Sequence, residues 1–164
     1  MVRIERALTE DVEKLTQVGI QAFAEDAEKY GASPSGVDQV ENHREWIEKY
    51  HYYKIVIGNE IVGGIIVMPG DECYTLGALF IAPIFQNQGH GSRGIKFIEE
   101  KYPTATKWAL CTPYRNDRLH RFYEKLGYEK VGETKPGEYP EVPDKNYVLW
   151  LYEKKMRDQN ERTI

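Results

Sequence analysis

The stretch "FQNQGHGSRG", Phe85 to Gly94, decides how the chain is read. Its last six residues fit G-x-G-x-x-G, the phosphate-binding fingerprint of dinucleotide-binding folds. Residues 86–91 also fit a second pattern, Q-x-x-G-x-G. A dinucleotide fingerprint begins where its strand ends, so that the first glycine makes the tight turn. Here Ala82 to Gln88, with a proline among them, separate Ile81 from Gly89. A carboxylate about 20 positions further on should hold the ribose. The segment "ALCTPYR" at 109–115 has none, although its Arg115 keeps an NADP phosphate in play. Only one further crossover follows, too little for a doubly wound sheet. The second pattern makes Gln86 to Ser92 a loop between a buried strand and a helix N-terminus. Small residues there let an anion approach the backbone, free N–H groups point at it, and the helix dipole favours its charge. Such a loop cradles a pyrophosphate without a Walker lysine.

Outward from this loop, hydrophobic period gives an α+β order. "VRIERA" alternates like a short strand, and Thr9 is the expected N-cap of a first helix with Val12, Leu15, Ala22 and Phe23 on one face. "YGASPSGVD", Tyr30 to Asp38, reads as a loop, and a second helix follows to about Tyr50. "YYKIVI" and "IVGGIIVM", split by "GNE", form a hairpin, and Cys73–Ile81 is a third strand. Its near-continuous apolar end predicts burial on both faces. A helix from about Gly91 to Tyr102 leads to the strand Lys107–Thr112, and these should make one right-handed parallel crossover. Asn116 is the expected N-cap of the next helix, Gly127 its C-terminal stop, and "YEKVGET" and "NYVLWLYEK" close the sheet.

The 164 residues fit one domain, 1–154, with a polar tail at 155–164. The formal charge of −4 and the lack of a basic stripe argue against a nucleic-acid partner and suit a cationic substrate such as an amine. No apolar run reaches the roughly 18 residues of a membrane span. "MVRIERALTEDVEKL" has no signal-peptide core, so the expectation is cytoplasmic. Cys73 and Cys111 lack metal-ligand spacing and read as small core residues; His43, His51 and His120 form no cluster, so no metal is expected.

The loop resembles motif A of the GCN5-related N-acetyltransferases (GNAT). "LFIAPIFQNQGHG" is similar to that family's strand and pyrophosphate loop, and "NDRLHRFYEKLGYEKVG", Asn116 to Gly132, to its motif B. The resemblance covers roughly Val2 to Lys154. It implies a mixed sheet of about seven strands with a strand–helix–strand crossover and helices on both faces. It implies acetyl-CoA as co-substrate, held between two splayed parallel strands, here Cys73–Ile81 and Lys107–Thr112. Backbone at Leu79, Phe80 and Ile81 would pair with the pantetheine. Gln86, Asn87, Gln88, Gly89, His90, Gly91 and Ser92 would hold the pyrophosphate, His90 through its N–H with its ring turned outward. Asn116 would lie near the pantetheine, and Arg118, Arg121 and Lys125 are candidate phosphate partners.

Tyr123 matches the family tyrosine that donates to the departing thiolate; helical spacing alone would make it a core aromatic. The positions where some relatives carry a base fall at Thr75 and Gly77, which cannot serve. Glu72 is the nearest carboxylate and the candidate base, against an ordinary turn residue. Glu25 and Asp26 read as a solvated helix end, with an acceptor-site lining as the alternative. The same two accounts, core or pocket border, stand for Trp46, Tyr50, Tyr52 and Tyr53. The acceptor side is expected from the first two helices and the loop Pro136 to Asp144. The reading is an N-acetyltransferase acting on a small-molecule or peptide amine, with a homodimer compatible. The rival is an acyl-CoA-binding module without turnover.

Overall fold

The computed structural model describes residues 1–31 and 36–156. Strand β1 (Val2–Arg6) leads through a 3-10 turn, Thr9–Asp11, into α1 (Val12–Tyr30) and α2 (Val40–Lys49). The meander β2 (His51–Ile57), β3 (Glu60–Met68) and β4 (Cys73–Ile81) follows, then a 3-10 turn at Pro83–Phe85 and α3 (His90–Lys101). The chain continues through β5 (Lys107–Pro113), α4 (Asp117–Lys125), β6 (Glu129–Glu133) and β7 (Leu149–Lys155). The strands form one seven-stranded sheet in the order β1-β2-β3-β4-β5-β7-β6. Every neighbouring pair is antiparallel except β4 and β5, which the α3 crossover makes parallel.

Alternation along the central strands sends side chains to two cores. Tyr53, Ile55 and Ile65 pack with Ile95 and Ile98 of α3 and Tyr123 of α4. Tyr52, Ile66 and Phe80 pack on the other face with Leu15, Val18 and Ala22 of α1. Helices therefore cover both faces, as the resemblance implied. His43 of α2 is fully buried in the α1 layer. Its Nε2 donates to the Val37 carbonyl at 2.7 Å, so its Nδ1 accepts from the Tyr52 hydroxyl at 2.7 Å. Burial lowers the His43 pKa and keeps the ring neutral.

Several expectations need correction. Thr9 does not cap α1: the carboxylate of Asp11 accepts the Leu8 N–H at 2.8 Å, and the same oxygen takes the Lys54 ammonium at 2.9 Å. A carboxylate within the first turn can serve the helix start and hold a strand at once, which a threonine hydroxyl cannot. Tyr30 belongs to α1, with Gly31 as its left-handed cap, and residues 32–35 of the expected loop lie outside the described residues. β7 runs through Lys155, one residue into the expected tail, and residues 157–164 lie outside the described residues.

The apolar end of β4 is buried on both faces as expected, Phe80 in the α1-side core and Ile81 in the other, whereas β5 is buried on one face only. Their ladder holds only three pairs, Cys73↔Lys107, Tyr74↔Trp108 and Thr75↔Ala109. Just beyond the last pair, β4 bulges against β3: Val67 pairs with Leu76 and Ile66 with Ala78, leaving Gly77 as the extra residue. A bulge bends its strand and sharpens its twist. From there the two strands part, leaving Cys111 exposed rather than in the core. No helix among the described residues is long and apolar enough to cross a membrane.

The Asp11–Lys54 pair is partly buried, with side chains 11% and 13% exposed, and Glu5 is a distant second partner at 3.9 Å. Asp11→Ala removes a helix-start acceptor and strands the ammonium, so it should cost about 3 kcal/mol. Urea unfolding should show a lower midpoint at unchanged m-value.

Candidate active site

Where β4 and β5 part, a cleft of about 580 Å³ opens between them. Its walls are residues 76–81 of β4, Leu110, Cys111 and Pro113 of β5, the loop around 85–92, and one face each of α1 and α4. Tyr139, Glu141, Val142 and Tyr147, from the connection into β7, and Leu149, its first residue, complete it.

The loop is built from local backbone demands. Pro83 opens the 3-10 turn, and Asn87 and Gly89 take left-handed conformations with φ of 62° and 83°. Asparagine and glycine tolerate that region best. Gly89 then caps α3, the Arg93 N–H closing on its carbonyl at 3.1 Å. Among the described residues the main-chain N–H groups of 87–92 find no acceptor within the protein. They gather at a helix N-terminus, where the dipole adds positive potential. Gln86 braces the loop: its Nε2 donates to the Ile81 carbonyl at 2.9 Å, and its Oε1 accepts from Arg118 at 3.2 Å. Gly94, the last glycine of the dinucleotide-like pattern, has a packing role, since a Cβ there would stand 2.9 Å from Ile65 Cδ1.

Most of the residues singled out in the sequence line this cleft. Leu79, Phe80 and Ile81 form the β4 wall, and the edge of β4 that turns toward β5 has no ladder partner beyond Thr75. Gln86, Asn87, Gly89, His90, Gly91 and Ser92 also border it. Gln88 does not: its side chain folds back to the Ile84 carbonyl at 3.2 Å. Arg118 reaches the cleft, whereas Arg121 and Lys125 are exposed elsewhere on α4.

The expectation for the His90 ring is overturned. His90 is 6% exposed, and neither ring nitrogen has a hydrogen-bond partner. As the first residue of α3 it shares the inward face of Gly94, four positions on, so the helix turns it in.

Asn116 is 1% exposed and caps α4, its Oδ1 accepting the Leu119 N–H at 3.3 Å. That cap orients the amide, and its Nδ2 donates to Asp26 Oδ2 at 3.4 Å. Two turns along α4, Tyr123 is 6% exposed and borders the cleft. Burial pushes its pKa above the ordinary phenol value, and the Cys111 sulfur adds to this. The phenol therefore stays protonated across the working pH range.

Glu72 is not brought to the cleft. It sits exposed in the turn before β4, at the end away from the opening, and its carbonyl accepts from Thr106 and Lys107. Asp26 is the carboxylate that α1 contributes, while Glu25 stays exposed. Burial raises the Asp26 pKa; Arg118 opposes this, Glu25 adds to it, and the Asn116 hydrogen bond and Lys29 oppose it. Trp46, Tyr50, Tyr52 and Tyr53 stay out of the cleft and pack around the cores. Cys111 is the residue that sequence reasoning missed, because an apolar strand gives no sign that its ladder ends early. Among the described residues no group of three His, Cys, Asp or Glu could hold a metal ion.

Comparison with known proteins points the same way as this geometry. The family model described as "Acetyltransferase (GNAT) family" matches residues 20–128. The chain is similar to the uncharacterized N-acetyltransferase YesJ of Bacillus subtilis (strain 168), at 26% identity over 107 residues. That match covers 56% of this chain and 59% of YesJ. Among solved structures it resembles the PaiA N-acetyltransferase of Thermoplasma acidophilum in complex with coenzyme A, with a TM-score of 0.78 and 16% identity over 95% of this chain and 99% of that one. It also resembles a GNAT family acetyltransferase from Elizabethkingia anophelis with acetyl-CoA bound, with a TM-score of 0.69 and 18% identity over 94% and 98% of the two chains. At these identities the two structures establish the shared fold.

Proposed function

The chain belongs to the acetyltransferase (GNAT) family, and from that premise we propose that it transfers the acetyl group of acetyl-CoA directly to a primary amine on a small molecule or peptide. The observation that carries the reading is the set of unengaged amides at 87–92, gathered at the start of α3 beside the parted strands. Main-chain donors and a helix N-terminus suit a diphosphate, and the small residues Gly89, Gly91 and Ser92 leave room for it. The unpaired edge of β4 suits the amide groups of a pantetheine, which can hydrogen-bond to it as an added strand. An N–H in that edge can also polarise the thioester carbonyl as negative charge develops on its oxygen.

Tyr123 supplies the hydrogen bond to the leaving sulfur. Its pKa, raised by burial, lies above the roughly 8.5 of an ordinary thiol. A phenol weaker in acidity than the thiol stabilises the thiolate by donation without giving its proton up completely. That reading is supported by the position of Tyr123 in the lining of the cleft. Glu72 is too far from the opening to serve as base.

Purified protein given acetyl-CoA and a panel of amines should release free thiol. Tight binding of acetyl-CoA with no release on any amine would favour a binding module instead. Gly89→Glu should weaken coenzyme A binding at least about 100-fold by setting a carboxylate among the anion-binding amides. Gly89→Ala, equally strained at φ 83° but uncharged, should lose much less. Calorimetric titration of both variants checks this, and equal losses would assign the effect to strain. Tyr123→Phe should lower kcat about 10- to 100-fold while leaving the dissociation constant of coenzyme A within about twofold. An unchanged kcat would make the residue packing alone.

A further inference from the structure

The inference concerns the acceptor, and it rests on the acetyltransferase reading. Beyond the loop, the walls of the cleft are chemically one-sided. Phe23, Tyr139 and Tyr147 give it aromatic surface, and the carboxylates bordering it are Asp26 and Glu141. Among the described residues the permanently charged basic side chain that lines it is Arg118, which donates to Gln86 in the loop and also acts on Asp26. Asp26 is held in place from a different element. The Asn116 amide, fixed by its cap on Leu119, binds Oδ2, while Oδ1 accepts no hydrogen bond among the described residues. A second observation points to a ligand in the same cleft: His90, 6% exposed, borders it with neither ring nitrogen hydrogen-bonded.

We propose that this cleft takes an amine cation on an apolar or aromatic body lacking a carboxylate, and that Asp26 is the group that receives its proton. The carboxylate first pairs with the ammonium and draws it toward the thioester. One N–H proton passes to Asp26 and on to water, freeing the nitrogen lone pair. That pair forms the C–N bond to the acetyl carbonyl carbon, and the C–S bond breaks to leave a thiolate. The nitrogen's second proton ends on the sulfur, beside the Tyr123 hydroxyl. Ammonium and acetyl-CoA thus give amide, coenzyme A thiol and one released proton. An acceptor with its own carboxylate would meet Asp26 and Glu141 with like charge, against the single cation Arg118, which is already shared between Gln86 and Asp26.

The groups facing Asp26 are Asn116 and Arg118 from α4, and Glu25 and Lys29 from α1, with Glu141, Tyr139, Tyr147, Cys111 and His90 elsewhere along the cleft. Burial is the largest influence and raises the Asp26 pKa, so the folded state favours the protonated acid. Stability from this source is full below the ordinary carboxylate pKa and is lost as pH rises through the folded value. Asp26→Asn should therefore fold with a melting temperature equal to or above that of the wild type at pH 7. That advantage should fade in acid.

The test measures thiol release by the full chain and by Asp26→Asn with 2-phenylethylamine, L-phenylalanine and hydroxylamine. The first two differ by a carboxylate, and the third is already neutral near pH 7. The wild type should prefer 2-phenylethylamine over L-phenylalanine by about 30-fold or more in kcat/KM. Asp26→Asn should lower kcat/KM for 2-phenylethylamine by about 100-fold or more and move the acid limb of its pH profile up to the amine's own ionisation. The loss with hydroxylamine should stay under about fivefold, because no proton must leave before attack. Equal use of phenylalanine, an equal loss on both amines, or an unchanged acid limb would overturn the assignment. No release by the wild type with any amine would overturn the acetyltransferase reading itself, and this inference with it.

Discussion

The structure depends on where one ladder stops. Parallel pairing of β4 with β5 covers three residue pairs and then ends. Beyond that point each strand still carries peptide groups in the middle of a sheet, between two layers of helices. Such groups demand partners. Part of the demand is met locally, since the Gln86 amide takes the Ile81 carbonyl and the β3 side of β4 keeps its register through Ile81. The rest is met by whatever enters the cleft. A ligand that pairs with this edge completes the sheet, so its binding adds directly to fold stability by mass action. The Gly77 bulge is the device that allows the parting. It adds a residue to β4 just past the last pair and redirects the strand, with no side chain to obstruct the turn.

The loop at 86–92 obeys the same accounting at a helix end. Four N–H groups at any α-helix start lack intrahelical acceptors. At two other helix starts a side chain serves such a group, Asp11 ahead of α1 and Asn116 at α4, whereas α2 has no side-chain cap. At α3 the cap is Gly89, which has no side chain to offer, and the unengaged run extends back to Asn87. The positive potential in the cleft therefore comes from oriented peptides. This is why a chain of formal charge −4 can hold an anion, and why composition gave no hint of it.

The order of elements, the sheet and the loop were legible because each rests on local rules. Period marks strands and helices, proline and glycine mark the turn, and Asn116 and Gly127 bracket α4 as capping chemistry requires. What failed to show in the sequence depended on distant partners. Thr9 and Asp11 are both plausible at a helix start, and the choice was made by Lys54 on β2, 43 residues away. The inward turn of His90 follows from the true first residue of α3, one position earlier than the periodicity suggests. Cys111 and Asp26 became cleft residues only because two strands part and a helix end lies across the gap. Glu72 is near the cleft strand in sequence yet at its far end, since a strand of nine residues carries its two ends well apart.

The amphipathic nine-residue helix α4 joins these parts. Its cap residue Asn116 reaches Asp26 on α1, its first turn sends Arg118 to Gln86 in the loop, and its second turn places Tyr123 against the core. Residues 116 and 118 tie α4 to α1 and to the loop, and 123 borders the same cleft. A shift of α4 along its axis would move all three contacts together. The helix is fixed against such a shift at both ends: by the Asn116 cap, and by the Tyr128 N–H, which closes on the Tyr123 carbonyl at 3.1 Å. Ionic contacts are poorly suited to that duty, because surface pairs contribute little and yield to salt. Buried capping and ring packing, Tyr123 against both Phe122 and Tyr128, set the register instead. The two walls of the cleft thus share one mechanical reference. A shared reference of this kind would hold two groups bound on the two walls at a fixed distance, as the proposed transfer requires.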